Sequence, residues 1–208
     1  FVLLKAEGLL HSQEGKDAYA YNVTMGNTWA QMLSQAPVLT TPSTENFFKL
    51  FSEYAAFVEQ WEPSYAGYTF PRFDGFAVTD RFASASLLSS YALGEETLRA
   101  SFTENGKEGE GMFAASVVDF GSVDIAAGLP VGYIIPRADG GYYMAYNVMA
   151  VTAAKDTFIE WESVLTKCLG TLAYSESFVK ATEQAGEEKV AMSKEISRIT
   201  NERLETIM

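Results

Sequence analysis

The sequence predicts an α+β domain, a mainly antiparallel sheet covered by helices as an α-β-α sandwich, with a long helix at the C-terminus. Three observations carry this. Apolar residues recur every three or four positions through residues 44–61 and again through 158–169, the period of a helix with one buried face. Between them the period falls to two, with Gly, Asp and Pro turn signals at the breaks. The last alternating stretch, Tyr142 to Val151, is apolar on both faces, which suits a strand inside a sheet covered on both sides.

Taken in order, residues Phe1 to Ala36 carry mixed signals and fit short strands or a helix. "TTPSTENFFKLFSEYAAFVEQWEP" is clearer. Ser43 or Thr44 can cap a helix whose apolar positions are Phe47, Leu50, Phe51, Tyr54, Phe57, Val58 and Trp61, and Pro63 ends it. "TLRASF" alternates as a half-buried strand, with Leu98, Ala100 and Phe102 on one face. "MFAASVV" and "VGYII" are further strand candidates. "ASASLLSSYALG" can be read with either period, and strand is the favoured reading.

In "YYMAYNVMAV", alternation puts Tyr142, Met144, Tyr146, Val148 and Ala150 on one face and Tyr143, Ala145, Asn147, Met149 and Val151 on the other. Asp156 can then cap a second helix with Phe158, Ile159, Trp161, Val164, Leu165, Cys168 and Leu169 on its apolar side and Gly170 at its end. Residues 1–174 are thus one α+β domain and 175–208 a polar helical extension with a sparse stripe of Met192, Ile196, Ile199 and Ile207. That helix either lies solvated along its own domain or provides a protein contact.

Composition bounds the function. A chain of 208 residues, 48% hydrophobic and 20% charged, can bury a core without metal or disulfide staples. Its net charge of -12 lacks the cationic footprint that nucleic acid or an anionic membrane requires. No apolar run approaches the roughly 20 residues of a membrane helix. The chain opens at Phe1 and closes at Met208 within a helical pattern, so both ends read as cut, which leaves room for a signal peptide or a further domain outside this sequence.

The chemistry-bearing residues are few. His11 is the single histidine and reads as a surface residue without nucleophile context; Cys168 is the single cysteine and reads as a small buried hydrophobe. One His and one Cys cannot supply the usual zinc set. "DFG" at Asp119 lacks every other kinase element, and "GEGMFA" follows no strand and opens no helix, so neither marks a phosphate site. "TENGKEGEG" gathers Glu104, Glu108 and Glu110, but its spacing fits no EF-hand and a solvated hairpin turn accounts for it. No catalytic residue, metal or cofactor is assigned.

The most unusual stretch is "WEPSYAGYTFPRFDGF". Its aromatic rings can stack on a sugar or a peptide side chain while charged groups fix hydroxyls or backbone. Aromatic residues are more often core filler, and a linker packing its rings onto the sheet edge is the competing role. As the ligand surface, it assigns Trp61, Tyr65, Tyr68, Phe70, Arg72, Phe73 and Asp74. A two-carboxylate hydrolase is the alternative from another class, with Asp74, Asp80, Asp119 and Asp124 available.

The order of a helix, an antiparallel run, a hydrophobic last strand and then "FIEWESVLTKCLGTLAYSESFV" resembles the PsbP/Mog1-like group of small α+β domains over residues 65 to 180. The final part is also similar to extracytoplasmic proteins of Gram-positive gut bacteria. Both resemblances imply an accessory binding or assembly domain on the envelope side, secreted or a lipoprotein, with a small molecule, glycan or protein as partner. The N-terminal helix and its aromatic linker depart from that pattern.

Overall fold

Ser43 opens the principal helix as expected: its backbone is extended at φ -161° and its Oγ accepts the Asn46 amide at 3.1 Å. The computed structural model describes residues 1–26, 30–84, 86, 88–125 and 138–170. In chain order the elements are β1 (Val2–Leu10), α1 (Gln13–Thr24), α2 (Ala30–Leu33), α3 (Thr44–Trp61), a 3-10 turn (Pro63–Tyr65), β2 (Asp74–Ala83), β3 (Ala92–Glu104), β4 (Lys107–Asp119), β5 (Tyr142–Ala154) and α4 (Phe158–Gly170). The mixed signals of the first 36 residues resolve into one strand and two helices.

All five strands pair antiparallel in the order β1-β5-β4-β3-β2, so the fold is α+β with β1 and β2 at the edges. Residues 1–166 form one compact unit. The extension predicted over 175–208, its boundary at 174, the strand "VGYII" and the side chains of Cys168 and Leu169 all lie outside what the structure describes.

The core lies between one face of the sheet and α3. Phe47, Phe48, Phe51, Tyr54 and Val58 are buried on the helix, and Phe48 meets Phe113 of β4 edge-on at 5.0 Å between ring centres. Each such side chain contributes about 1.5–3 kcal/mol by leaving water. The predicted face of "TLRASF" is correct: Leu98, Ala100 and Phe102 are buried. Thr44 pins the start of α3 to the sheet, donating to the Ala115 carbonyl at 3.0 Å and accepting the Glu96 amide at 3.2 Å. Gly94 permits that approach, since a Cβ there would stand 2.6 Å from the Ser43 Cα. At the β3–β4 hairpin, Asn105 and Gly106 both take positive φ, at 51° and 75°, as a tight two-residue turn requires.

Three expectations need correction. "ASASLLSSYALG" does not continue a strand: β2 ends at Ala83, and residues 88–91 turn back into β3. Serine hydroxyls satisfy that turn locally, with Ser89 Oγ accepting the Ser86 amide at 2.9 Å and Ser116 Oγ donating to Glu95 at 2.8 Å. On α4, among the side chains described, only Phe158 of the predicted apolar side is fully buried; Ile159, Trp161 and Val164 are exposed. Phe158 sits under the Arg99 guanidinium, 5.5 Å from its ring centre, on the sheet face opposite the core.

The third concerns β5. It lies inside the sheet, between β1 and β4, as its apolar run implies, but strict alternation fails. Asn147 holds φ at 52°, and the register with β4 shifts between Ala114 and Ser116. The extra residue changes phase, so Ala145 joins Val148 and Ala150 in the core, while Met144 and Val151 are buried outside that cluster. Asn tolerates this conformation and a β-branched residue does not. Asn147→Gly should therefore keep stability within about 1 kcal/mol of wild type, whereas Asn147→Val should lose roughly 1–2 kcal/mol in urea unfolding. Equal stability of the two variants would show that the bulge is not held by its backbone.

Candidate functional site

The C-terminal end of α3 borders a cleft of about 480 Å³. Trp61 is the last helical residue; Glu62 then turns extended, and its Oε1 accepts the Ser64 amide at 3.1 Å and hydroxyl at 2.8 Å, which fixes the 3-10 turn and with it Tyr65. Across from them stand Lys5, Glu7 and Gly8 of edge strand β1 and Tyr142 at the start of β5. Tyr54, Phe57 and Val58 supply the α3 wall, and Met32 and Leu33 of α2 complete it.

Trp61 Nε1 is buried and has no hydrogen-bond partner among the described residues. Lys5 Nζ lies 2.6 Å from Glu7 Oε1, and that hydrogen bond holds its pKa above the usual lysine value. Hydrogen bonds from the Ser64 amide and hydroxyl hold Glu62 below the ordinary carboxylate range. Burial pushes the Tyr54 hydroxyl far up, and the hydrogen bond from the Glu7 backbone opposes this only in part.

The aromatic segment splits between site and structure. Trp61 and Tyr65 line the cleft. Phe70 and Phe73 are each 2% exposed and belong to the core. Phe70 receives Tyr65 edge-on at 5.1 Å and Tyr68 at 5.6 Å, and Tyr68 itself is exposed. Arg72 is a clamp: its Nη2 lies 2.6 Å from Glu59 Oε2 on α3, its Nη1 donates to the Phe70 carbonyl at 3.1 Å, and Glu59 Oε1 accepts the Phe70 amide at 2.8 Å. Asp74 begins the exposed edge strand β2 and is not among the residues lining the cleft. Sequence reading missed Lys5, Glu7, Met32 and Tyr142, because only β1–β5 pairing and the packing of α2 bring them beside residues 54–65.

The four aspartates considered for acid–base work do not meet in this cleft. Asp74 and Asp80 lie on β2, while Asp119 and Asp124 lie at and beyond the end of β4. Asp119 instead reaches the lone histidine. His11 follows β1 with only 11% of its side chain exposed, so the surface reading of it is wrong. Its Nδ1 is 3.0 Å from Asp139 Oδ2, and its Nε2 is 3.1 Å from Asp119 Oδ1 but off the hydrogen-bond direction. Tyr143 packs against the ring at 4.2 Å. The two carboxylates face different nitrogens, so they flank the imidazole without converging on one point. Gly141 leaves this room: a Cβ there would run into the Gly121 carbonyl and the His11 ring.

Comparison with family models, with curated proteins and with solved structures finds no match to this chain. Among the described residues no helix is long and apolar enough to cross a membrane.

Burial alone would raise the Asp139 pKa, but His11, the Gly141 and Val123 amides and the Ser122 hydroxyl outweigh it and hold the carboxyl down to about 2, from 3.8. Because the folded pKa is depressed, the stabilisation is complete above the unfolded value and is lost as pH falls from about 4 toward about 2. The side chain is 39% exposed, which screens the interaction, so Asp139→Asn should cost only roughly 1 kcal/mol at pH 7. The gap to wild type in urea unfolding should close as pH approaches 2; a gap unchanged over that range would remove the His11 cluster as its source.

Proposed function

We propose that this chain is a non-catalytic binding module of an envelope or secreted protein, acting through the cleft at the end of α3. The observation that carries this is Trp61, which lines an aromatic cleft and whose Nε1 is a buried donor without a partner among the described residues. Such a group costs about 1–3 kcal/mol, and buried polar groups without partners are exceptions in folded proteins. A ligand oxygen placed against the indole recovers that cost, while the faces of Trp61, Tyr65 and Tyr142 offer stacking area. The envelope setting comes from the resemblance to PsbP/Mog1-like domains and extracytoplasmic proteins, and the acidic surface is consistent with a partner other than nucleic acid.

Binding is favoured over the two-carboxylate hydrolysis considered from the sequence because none of Asp74, Asp80, Asp119 and Asp124 lines this cleft.

Thermal melts of the purified chain against oligosaccharides, cell-wall peptides and divalent cations test the proposal, since a ligand at a hundredfold excess over its Kd stabilises the fold by roughly 2.7 kcal/mol. Trp61→Phe removes the N–H and keeps an aromatic ring. It should abolish most of the ligand-induced shift and leave the unliganded melting temperature unchanged or slightly higher. A variant that unfolds would make Trp61 a core residue and sink the site; a variant that keeps the full shift would place the ligand elsewhere.

A further inference from the structure

The charged side chains lining the cleft are Lys5, Glu7 and Glu62, two carboxylates against one ammonium. Lys5 is already engaged by Glu7 at 2.6 Å. Glu62 uses Oε1 on Ser64, a neutral partner, and Oε2 takes no hydrogen bond among the described residues; Lys5 is near enough to act on both glutamates, so the lining keeps one net negative charge. Five rings share the lining: Tyr54, Phe57, Trp61, Tyr65 and Tyr142. Burial is the main cause that raises the pKa of Tyr65 and Tyr54; the charges of Glu62 and Glu7 add to it at both, while Lys5 opposes it at Tyr65 and the Glu7 backbone hydrogen bond at Tyr54.

Resting on the binding reading above, we infer that the ligand is a small organic cation that also carries an acceptor oxygen, in chemical class an alkylammonium alcohol or an amine-bearing sugar. The negative faces of aromatic rings attract a cation, and a carboxylate at the rim adds to that field. An ammonium group without an oxygen would leave the indole N–H unpaired, and a neutral polyol would leave the net negative charge of the lining unmatched. An anion would meet repulsion from Glu62 and would have to displace Glu7 from Lys5. One ligand with a cationic head and a hydroxyl answers both demands of the site.

Calorimetric titration of the whole chain with choline and with 3,3-dimethylbutan-1-ol, its uncharged carbon isostere, separates charge from shape. Wild type should bind choline about tenfold more tightly than the isostere, the size of a desolvated cation–π contribution. Glu62→Gln keeps an acceptor for Ser64, so the 3-10 turn persists, and should bring the ratio close to one. Trp61→Phe should weaken both probes. Equal binding of the two probes by wild type, with both weakened by Trp61→Phe, would overturn the cationic ligand and leave the cleft as the binding site. A saccharide that binds with Trp61 dependence while choline gives no heat would do the same. Titrations in which no probe binds, and no panel compound shifts the melting temperature, would overturn both inferences.

Discussion

Phe48 and Phe51 of α3, with Phe47 packed against both, meet Phe113, Phe73 and Phe76 at ring separations of 5.0 to 6.2 Å, and this seating sets where the rest of residues 1–166 packs. Phe48 meets Phe113 and Phe73 edge-on, and such contacts are directional, so the helix is held against rotation as well as against lifting. Thr44 fixes its first turn to β3 and β4, and Glu59 fixes its last turn to Phe70 and Arg72. With both ends tied, Trp61 stands at a set distance from β1. The cleft lies between the end of that helix and the edge strand β1.

That geometry explains why the aromatic linker divides its residues between two roles. Leaving α3, the chain must return to the sheet to begin β2, and Phe70 and Phe73 supply the apolar anchors for that return. Arg72, between them, would be an exposed cation in the loop; pairing with Glu59 turns it into a tie back to the helix. Trp61 and Tyr65 precede the anchors and face the opening. The segment is therefore neither wholly ligand surface nor wholly packing, and the dividing point is where its backbone meets the sheet.

The legible parts of the sequence were those whose cause lies within a few residues. The cap at Ser43, the helical stripe to Trp61 and the alternation of Leu98, Ala100 and Phe102 are local patterns, and each stands as read. Asn147 is local too, but one residue in a left-handed conformation inverts the faces of half a strand, and Asn occurs too commonly outside bulges to announce it. Ile159, Trp161 and Val164 carry a helical period without burial, because period reports what a helix can bury and not whether a surface is present to bury it. His11 and Asp139 are separated by 128 positions; only the pairing of the first strand with the last brings them together. Lys5 and Glu7 join Trp61 by the same pairing, so the candidate site was visible only in the half contributed by α3 and the 3-10 turn.

Trp61 is where the demands of fold and site conflict. As the final residue of a helix whose preceding turns are packed with Phe57 and Val58, it would serve stability equally well as Phe, which fills apolar space without a donor to satisfy. The indole N–H is a buried donor without a partner among the described residues, beside a cleft in which Ser64 occupies one Glu62 oxygen, Glu7 engages Lys5, and the Glu7 backbone engages the Tyr54 hydroxyl. Under the binding function proposed above, an acceptor that reached this donor would recover the energy it lacks in the free protein, and affinity would then depend on an acceptor in the ligand and not on apolar area alone.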